Sequence, residues 1–130
     1  MTQQPIEVIL ARQLADYLTL PVFLVDPDGN LIFYNEPAEK ILGYRYEETG
    51  PMPAQQWTTV FLPTDEDGNP LEPSQLPLII ALQENRPAHS GFWIRGLDGV
   101  LRHIEVSAFP LMGQSDRHLG AMALFWEAGA

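Results

Sequence analysis

LPVFLVDPDGNLIFYNEPAEKILG, residues Leu20 to Gly43, opens with an apolar run, Val22-Phe23-Leu24-Val25, that stops at Asp26-Pro27-Asp28-Gly29-Asn30. Those five residues are turn chemistry: Asp and Asn bond their own backbone, and Gly takes left-handed conformations at little cost. A second apolar run, Leu31-Ile32-Phe33-Tyr34, follows at once. Two short β-rich runs split by such a turn predict a β-hairpin. Asn35 then stands before Glu36-Pro37-Ala38-Glu39, with Ile41 and Leu42 beyond. An Asn side-chain oxygen accepts the unpaired N–H groups of a first helical turn, so Asn35 is the expected structural cap. Pro37 falls early enough in that turn to lose no intrahelical hydrogen bond, and Gly43 supplies the stop.

Upstream, Ile6, Ile9, Leu10, Leu14, Tyr17 and Leu18 fall on one helical stripe, with Glu7, Arg12, Gln13 and Asp16 elsewhere. This three-four spacing predicts an amphipathic helix that either caps the domain or meets a partner. Downstream, Tyr44 to Glu48 fits a short helical turn, and Thr49-Gly50-Pro51-Met52-Pro53 breaks regular structure. Trp57, Val60, Phe61 and Leu62 form an apolar patch ahead of a solvated loop, Pro63 to Pro70. Asp65, Asp67 and Asn69 alternate as in a calcium loop, but Pro70 stands where Gly is required and no Glu occupies the twelfth position. Glu72 to Pro77 leads into a helix, with Ser74 as a candidate cap, Leu78 and Leu82 on one face, and Asn85 and Pro87 closing it, while Pro73 and Pro77 predict an irregular entry. Three strands complete the chain. The first, His89 to Arg95, turns at Leu97-Asp98-Gly99. The second, Val100 to Phe109, alternates Ile104, Val106 and Ala108 against His103, Glu105 and Ser107. After Gly113-Gln114-Ser115-Asp116, Leu119 to Trp126 is the third.

The length of 130 residues suits one domain with a real core. With no Cys, the chain forms no disulfide, thiolate metal site or Cys nucleophile, and a cytoplasmic setting is the expectation. The N-terminus lacks the basic region and apolar core of a signal peptide, and no apolar run is long enough to span a membrane. A net charge of −10, with the basic residues scattered, sets nucleic acid aside as a partner.

The strand, Asp-x-x-Gly turn, strand and Asn-initiated helix resemble the N-terminal half of a PAS domain, through Asp26, Gly29, Asn35, Ala38 and Gly43. The arginine before Asp98-Gly99, the run Ile104-Glu105-Val106 and the closing apolar strand resemble the C-terminal half. The likeness extends over Leu20 to Glu127. It implies an α+β fold: a five-stranded antiparallel sheet with helices packed on one face, plus the N-terminal amphipathic helix. Residues 1–19 then form the cap or dimerisation helix, 20–127 the PAS domain and 128–130 a tail.

PAS domains sense light, oxygen, redox state or metabolites in an apolar space under the helices, or serve to dimerise. The resemblance disfavours haem, since no His lies within Glu72 to Arg86 and His89 falls just beyond it. It equally disfavours a light-sensing flavin, which requires a Cys, and whose polar reading positions correspond here to Ile94, Ile104 and Met122. Three apolar side chains would leave the flavin heteroatoms desolvated and unpaired. A small hydrophobic or aromatic ligand is the remaining pocket occupant. Alternation and resemblance together place Phe33, Ile41, Leu78, Leu82, Phe92, Ile94, Ile104, Val106, Met122 and Leu124 around that space.

Catalysis by Ser107, His103 and Asp98 fails on geometry. Four residues of strand separate His103 from Ser107 by about 13 Å, beyond hydrogen-bond reach. Neither a phosphate-cradling Gly loop nor a His pair with metal spacing is present. The expectation is a sensory or signal-transduction module and not an enzyme. It would form a homodimer through Ile6, Ile9, Leu10, Leu14 and Tyr17 and the outer sheet face, passing its signal to an effector. The alternative is a ligand-free protein–protein interaction domain. A cavity of several hundred Å³ would favour sensing by a ligand, and a sealed core would favour the alternative.

Overall fold

A computed structural model describes residues 6–96, 99–113, 115 and 117–128. Leu97 and Asp98 of one expected turn, Gln114 and Asp116 of the next, and the ends of the chain lie outside the described residues. Strands β1 (Val22–Val25) and β2 (Leu31–Tyr34) form the expected hairpin. Its turn is closed by Asp26, whose Oδ1 accepts the backbone N–H groups of Asp28 at 3.0 Å and Asn30 at 2.9 Å, while Gly29 sits at φ 87°. The same five-residue pattern recurs at Asp65 to Asn69. Asp65 Oδ1 accepts from Asp67 and Asn69, both at 2.9 Å, and Gly68 sits at φ 85°. The alternating acids that fail as a calcium loop thus fold a turn of their own. The Asn69 N–H, aided by further turn donors, holds the Asp65 carboxyl below the usual carboxylate range.

The five strands run in the order β2-β1-β5-β4-β3, all antiparallel. Strands β3 (Ala88–Arg95), β4 (Leu101–Met112) and β5 (His118–Glu127) make a meander, and β1 returns to pair with β5 at the centre. One face carries the larger core. It gathers Phe23, Val25, Leu31 and Tyr34 of the hairpin with Phe92, Ile94, Ile104, Val106, Ala108, Ala121, Ala123 and Phe125. Helices α2 (Glu36–Leu42), α4 (Ala54–Val60) and α5 (Pro77–Glu84) close over it with Ala38, Ile41, Leu42, Trp57, Leu78, Ile79 and Ala81. A single helical turn, α3 (Tyr46–Thr49), links the first two.

Two helices depart from the sequence expectation. The apolar patch around Trp57 is α4, which starts after Pro53 with no side-chain cap and so lacks the usual start signal. The helix after Glu72 has the irregular entry that Pro73 and Pro77 predict, but it starts at Pro77 and not at the candidate cap Ser74. Residues Pro73–Gln75 form a separate 3-10 turn, in which the Glu72 N–H donates to Gln75 Oε1 at 2.9 Å. Pro77 biases Leu76 toward extended backbone, ψ 133°, which separates the two pieces. Asn85, left-handed at φ 54°, closes α5.

Helix α1 (Ile6–Tyr17) lies on the opposite face of the sheet. Val8 and Ala15, with Ala11 beside them, pack on Val22, Leu24, Phe33, Leu119 and Met122. Three expected pocket residues, Phe33, Met122 and Leu124, therefore belong to this outer core and do not face the helix-covered space. The register accounts for it. Leu24 stands opposite both Phe33 and Met122, and Ser107 opposite Leu124, whereas Phe23 stands opposite Ala123 and Val106 opposite Phe125. Because α1 covers the outer side of β5, the run Leu119 to Phe125 is apolar on both faces, and alternation carries no phase there.

Candidate functional site

Between the sheet and its helices lies a cavity of about 70 Å³. Phe23, Trp57, Phe61, Leu78, Ile94 and Phe125 are among its walls, together with Leu42, Phe92, Ile104, Val106 and Ala123. Five of the ten residues expected there line it: Leu78, Phe92, Ile94, Ile104 and Val106. Ile41 packs in the same core without reaching the space, and Leu82 packs at that core's margin. From β5 the lining residues are Ala123 and Phe125, in place of Met122 and Leu124.

The cavity falls short of the several hundred Å³ that ligand sensing calls for. A pocket for a drug-sized ligand offers roughly 300 Å³ or more. The indole N–H of Trp57, one of the cavity walls, already donates to the Gly29 carbonyl at 2.9 Å. Neither haem nor flavin fits such a site: the volume is too small, and the lining side chains offer no free donor, acceptor or ligand atom. His89 stands on the exposed side of β3, 2.8 Å from Glu105, and not beside the cavity. His103 stacks on Trp93 with ring centroids 4.6 Å apart, and Ser107 pairs across the β3–β4 ladder with His89, so these residues face separate neighbours.

The second candidate surface is α1. Its sheet-facing side is made of small residues, whereas the stripe picked out from the sequence points away from the protein. Ile6 is 67% exposed, Ile9 36%, Leu10 56%, Leu14 57% and Tyr17 86%. Arg12 braces the helix from the side, its guanidinium 4.5 Å from the centre of the Phe33 ring and 5.9 Å from that of Tyr46. Glu7 reaches Arg117 at 3.5 Å. Burial raises the phenol of Tyr46 above its ordinary range, against the opposing pull of Arg12. Burial likewise raises Tyr34, whose hydroxyl donates to the Tyr44 carbonyl at 2.9 Å. Both phenols ionise more readily in the unfolded chain. Their contribution is therefore complete below about pH 10 and declines as the pH rises from there through the folded values. Alkaline titration followed by phenolate absorbance should show two of the four tyrosines ionising late, together with loss of structure. Four ordinary titrations in the native protein would contradict this.

Among the described residues, no group of three or more His, Asp or Glu side chains is arranged to hold a metal, and no helix is long and apolar enough to cross a membrane.

A 2-1-5-4-3 antiparallel sheet wrapped around short helices, with a core space at its centre, defines the class of fold. The sequence family described as PAS domain matches residues 19–127, and the chain belongs to that family. The solved structures agree. The PAS domain of a protein from Colwellia psychrerythraea superposes with a TM-score of 0.64 at 18% identity, covering 92% of this chain and 95% of that one. The LOV protein of Rhodobacter sphaeroides gives 0.72 at 14% identity, covering 96% of this chain and 69% of that one. The PAS domain of nitrogen regulation protein NR(II) from Vibrio parahaemolyticus gives 0.63 at 15% identity, over 91% and 97%. At these identities the likeness is one of fold. A comparison with curated proteins returns no match. PAS domains are typically sensory and signalling modules, and generally non-catalytic ones.

Proposed function

We propose that this domain relays a signal by pairing with a second copy of itself through the exposed stripe of α1, and that its nearly filled core serves packing in place of ligand capture. The observation that carries this reading is the stripe itself. Five large apolar side chains share one side of a helix whose other side is already docked, and a patch of that size in water marks an interaction surface. A second copy presents the same stripe, so a two-fold axis through α1 satisfies both protomers at once. The outer face of the sheet beside α1 extends the contact, and a change in helix docking passes to an effector. PAS domains of a two-component sensor histidine kinase share this fold and show the type of effector that suits such a relay. A cytoplasmic setting fits a chain without cysteine.

Light scattering on the whole chain across a range of concentrations tests the pairing. A dimer is expected, with Leu10→Asp/Leu14→Asp converting it to a folded monomer, because both positions lie on the exposed side. A wild-type chain that stays monomeric at the highest attainable concentration would refute the reading. A small ligand is the second reading, and the apolar lining is what favours it. Native mass spectrometry of the purified chain would reveal such a ligand as extra mass.

A further inference from the structure

Asn35 is buried to 1% exposure, and its amide is used to capacity. Its Oδ1 accepts the N–H of Val22 at 2.9 Å and that of Ala38 at 3.2 Å. Its Nδ2 donates to the carbonyls of Ala15 and Leu20, both at 2.9 Å. One side chain thus starts β1, starts α2, ends α1 and fixes the 18–20 connector. The polarity suits the task. The oxygen meets the Ala38 N–H left unpaired at the start of α2, and the amine meets a carbonyl of the last turn of α1. Among the described residues, the other attachments of α1 are slight by comparison: small side chains on the sheet, the Arg12 contact with Phe33 and Tyr46, and the Glu7–Arg117 pair.

We propose that Asn35 is the latch that holds α1 in its docked position, coupling the N-terminus of α2 to the end of α1. Helix α2 carries Leu42 into the wall of the cavity and Ala38 and Ile41 into the core. A shift of α2 withdraws Oδ1 or Nδ2 from its partners and frees the α1 end of the clamp. The clamp makes α1 the element that moves when the core is perturbed. As a regulatory device it rests on the reading that α1 is the signalling surface, although the clamp itself does not.

Hydrogen exchange followed by mass spectrometry on the whole chain tests the latch, comparing wild type with Asn35→Ser and Asn35→Asp. Serine keeps an acceptor for Ala38 at the start of α2 but cannot reach Ala15 and Leu20. Aspartate keeps the shape and sets an oxygen, in place of a donor, against those two carbonyls. The expected result is exchange in α1 and residues 18–20 faster by about tenfold or more, while β4 and β5 keep wild-type rates. That is the size of change that follows from losing two buried hydrogen bonds locally. Unchanged exchange in α1, or equal acceleration in every element, would overturn the proposal. If Asn35→Asp does not fold, the serine variant decides alone. Light scattering on the same samples separates the two ideas. A monomeric wild type whose serine variant releases α1 selectively keeps the latch and removes the pairing. A dimeric wild type without selective release does the reverse.

Discussion

Gly120→Ala is expected to remove a large share of the domain's stability. Gly120 sits in β5 at φ +130°, and a Cβ added there would lie 2.1 Å from the backbone carbonyl oxygen of Val25 and 3.2 Å from Asp26 Cα. Neither neighbour is a side chain that can rotate away. The site is where β5 leaves register with β4: Leu111 stands opposite Gly120 but Met112 opposite His118, so Leu119 is extra. On its other side, β5 meets the end of β1 at Val25–Ala121. Relieving the contact means separating the central pair of strands. Backbone strain of about 1–3 kcal/mol in a region that only Gly occupies readily adds to a steric cost that no rotamer relieves. The sum of about 5 kcal/mol or more compares with a total stability of about 5–15 kcal/mol for a domain of this kind. Gly68→Ala is the matched control. Gly68 has φ +85° but nothing within 4 Å of its added Cβ, so only the conformational cost of about 1–2 kcal/mol applies. Thermal melts followed by circular dichroism should show a small downward shift for Gly68→Ala and one several times larger for Gly120→Ala. Equal shifts in the two would refute the steric argument.

The contrast between these glycines shows where the sequence was legible. Local chemistry was readable because each signal acts on its own backbone. Asp26 and Gly29 announce the hairpin turn, and Gly43 sits left-handed at φ 83° to end α2. The resemblance to the family rests on such signals, and the resemblance in turn implied the five-stranded antiparallel sheet. What remained hidden depends on long-range packing. Gly120 is one glycine in an apolar run, and nothing nearby says that Val25 will cross it. The phase of β5 was lost because α1 buries its outer face, which made Met122 and Leu124 as apolar as Ala123 and Phe125. The same effect misplaced Phe33 on β2. The stripe of α1 was visible, but the side that docks is made of Val8, Ala11 and Ala15, too small to register as an apolar face. The double role of Asn35 was half legible. Its position before a helix signals the cap on α2, while the bonds to Ala15 and Leu20 span 20 and 15 residues and leave no trace in spacing.

Trp57→Ala is expected to cost about 3–5 kcal/mol and to create a binding site that the native core does not offer. The indole is 6% exposed, meets Phe23 edge-on with ring centroids 5.2 Å apart, and forms one wall of the 70 Å³ cavity. Removing it merges the space of a whole ring system with that cavity and leaves the buried Gly29 carbonyl without its donor. Trp57→Phe separates these two losses. It retains most of the ring packing and forfeits the hydrogen bond, so its cost should be about 1–3 kcal/mol. The enlarged space is lined by Phe, Leu, Ile and Val side chains, and apolar cavities of about 150 Å³ stay dry and accept benzene-sized guests. Benzene or indole should therefore raise the melting temperature of Trp57→Ala in proportion to its concentration, by preferential binding to the folded state. The wild-type melting temperature should not respond, because about 70 Å³ admits neither molecule. A wild-type protein stabilised as strongly as the variant would mean that the core opens readily to aromatic guests. That result would move the balance from a packed relay domain to a ligand sensor.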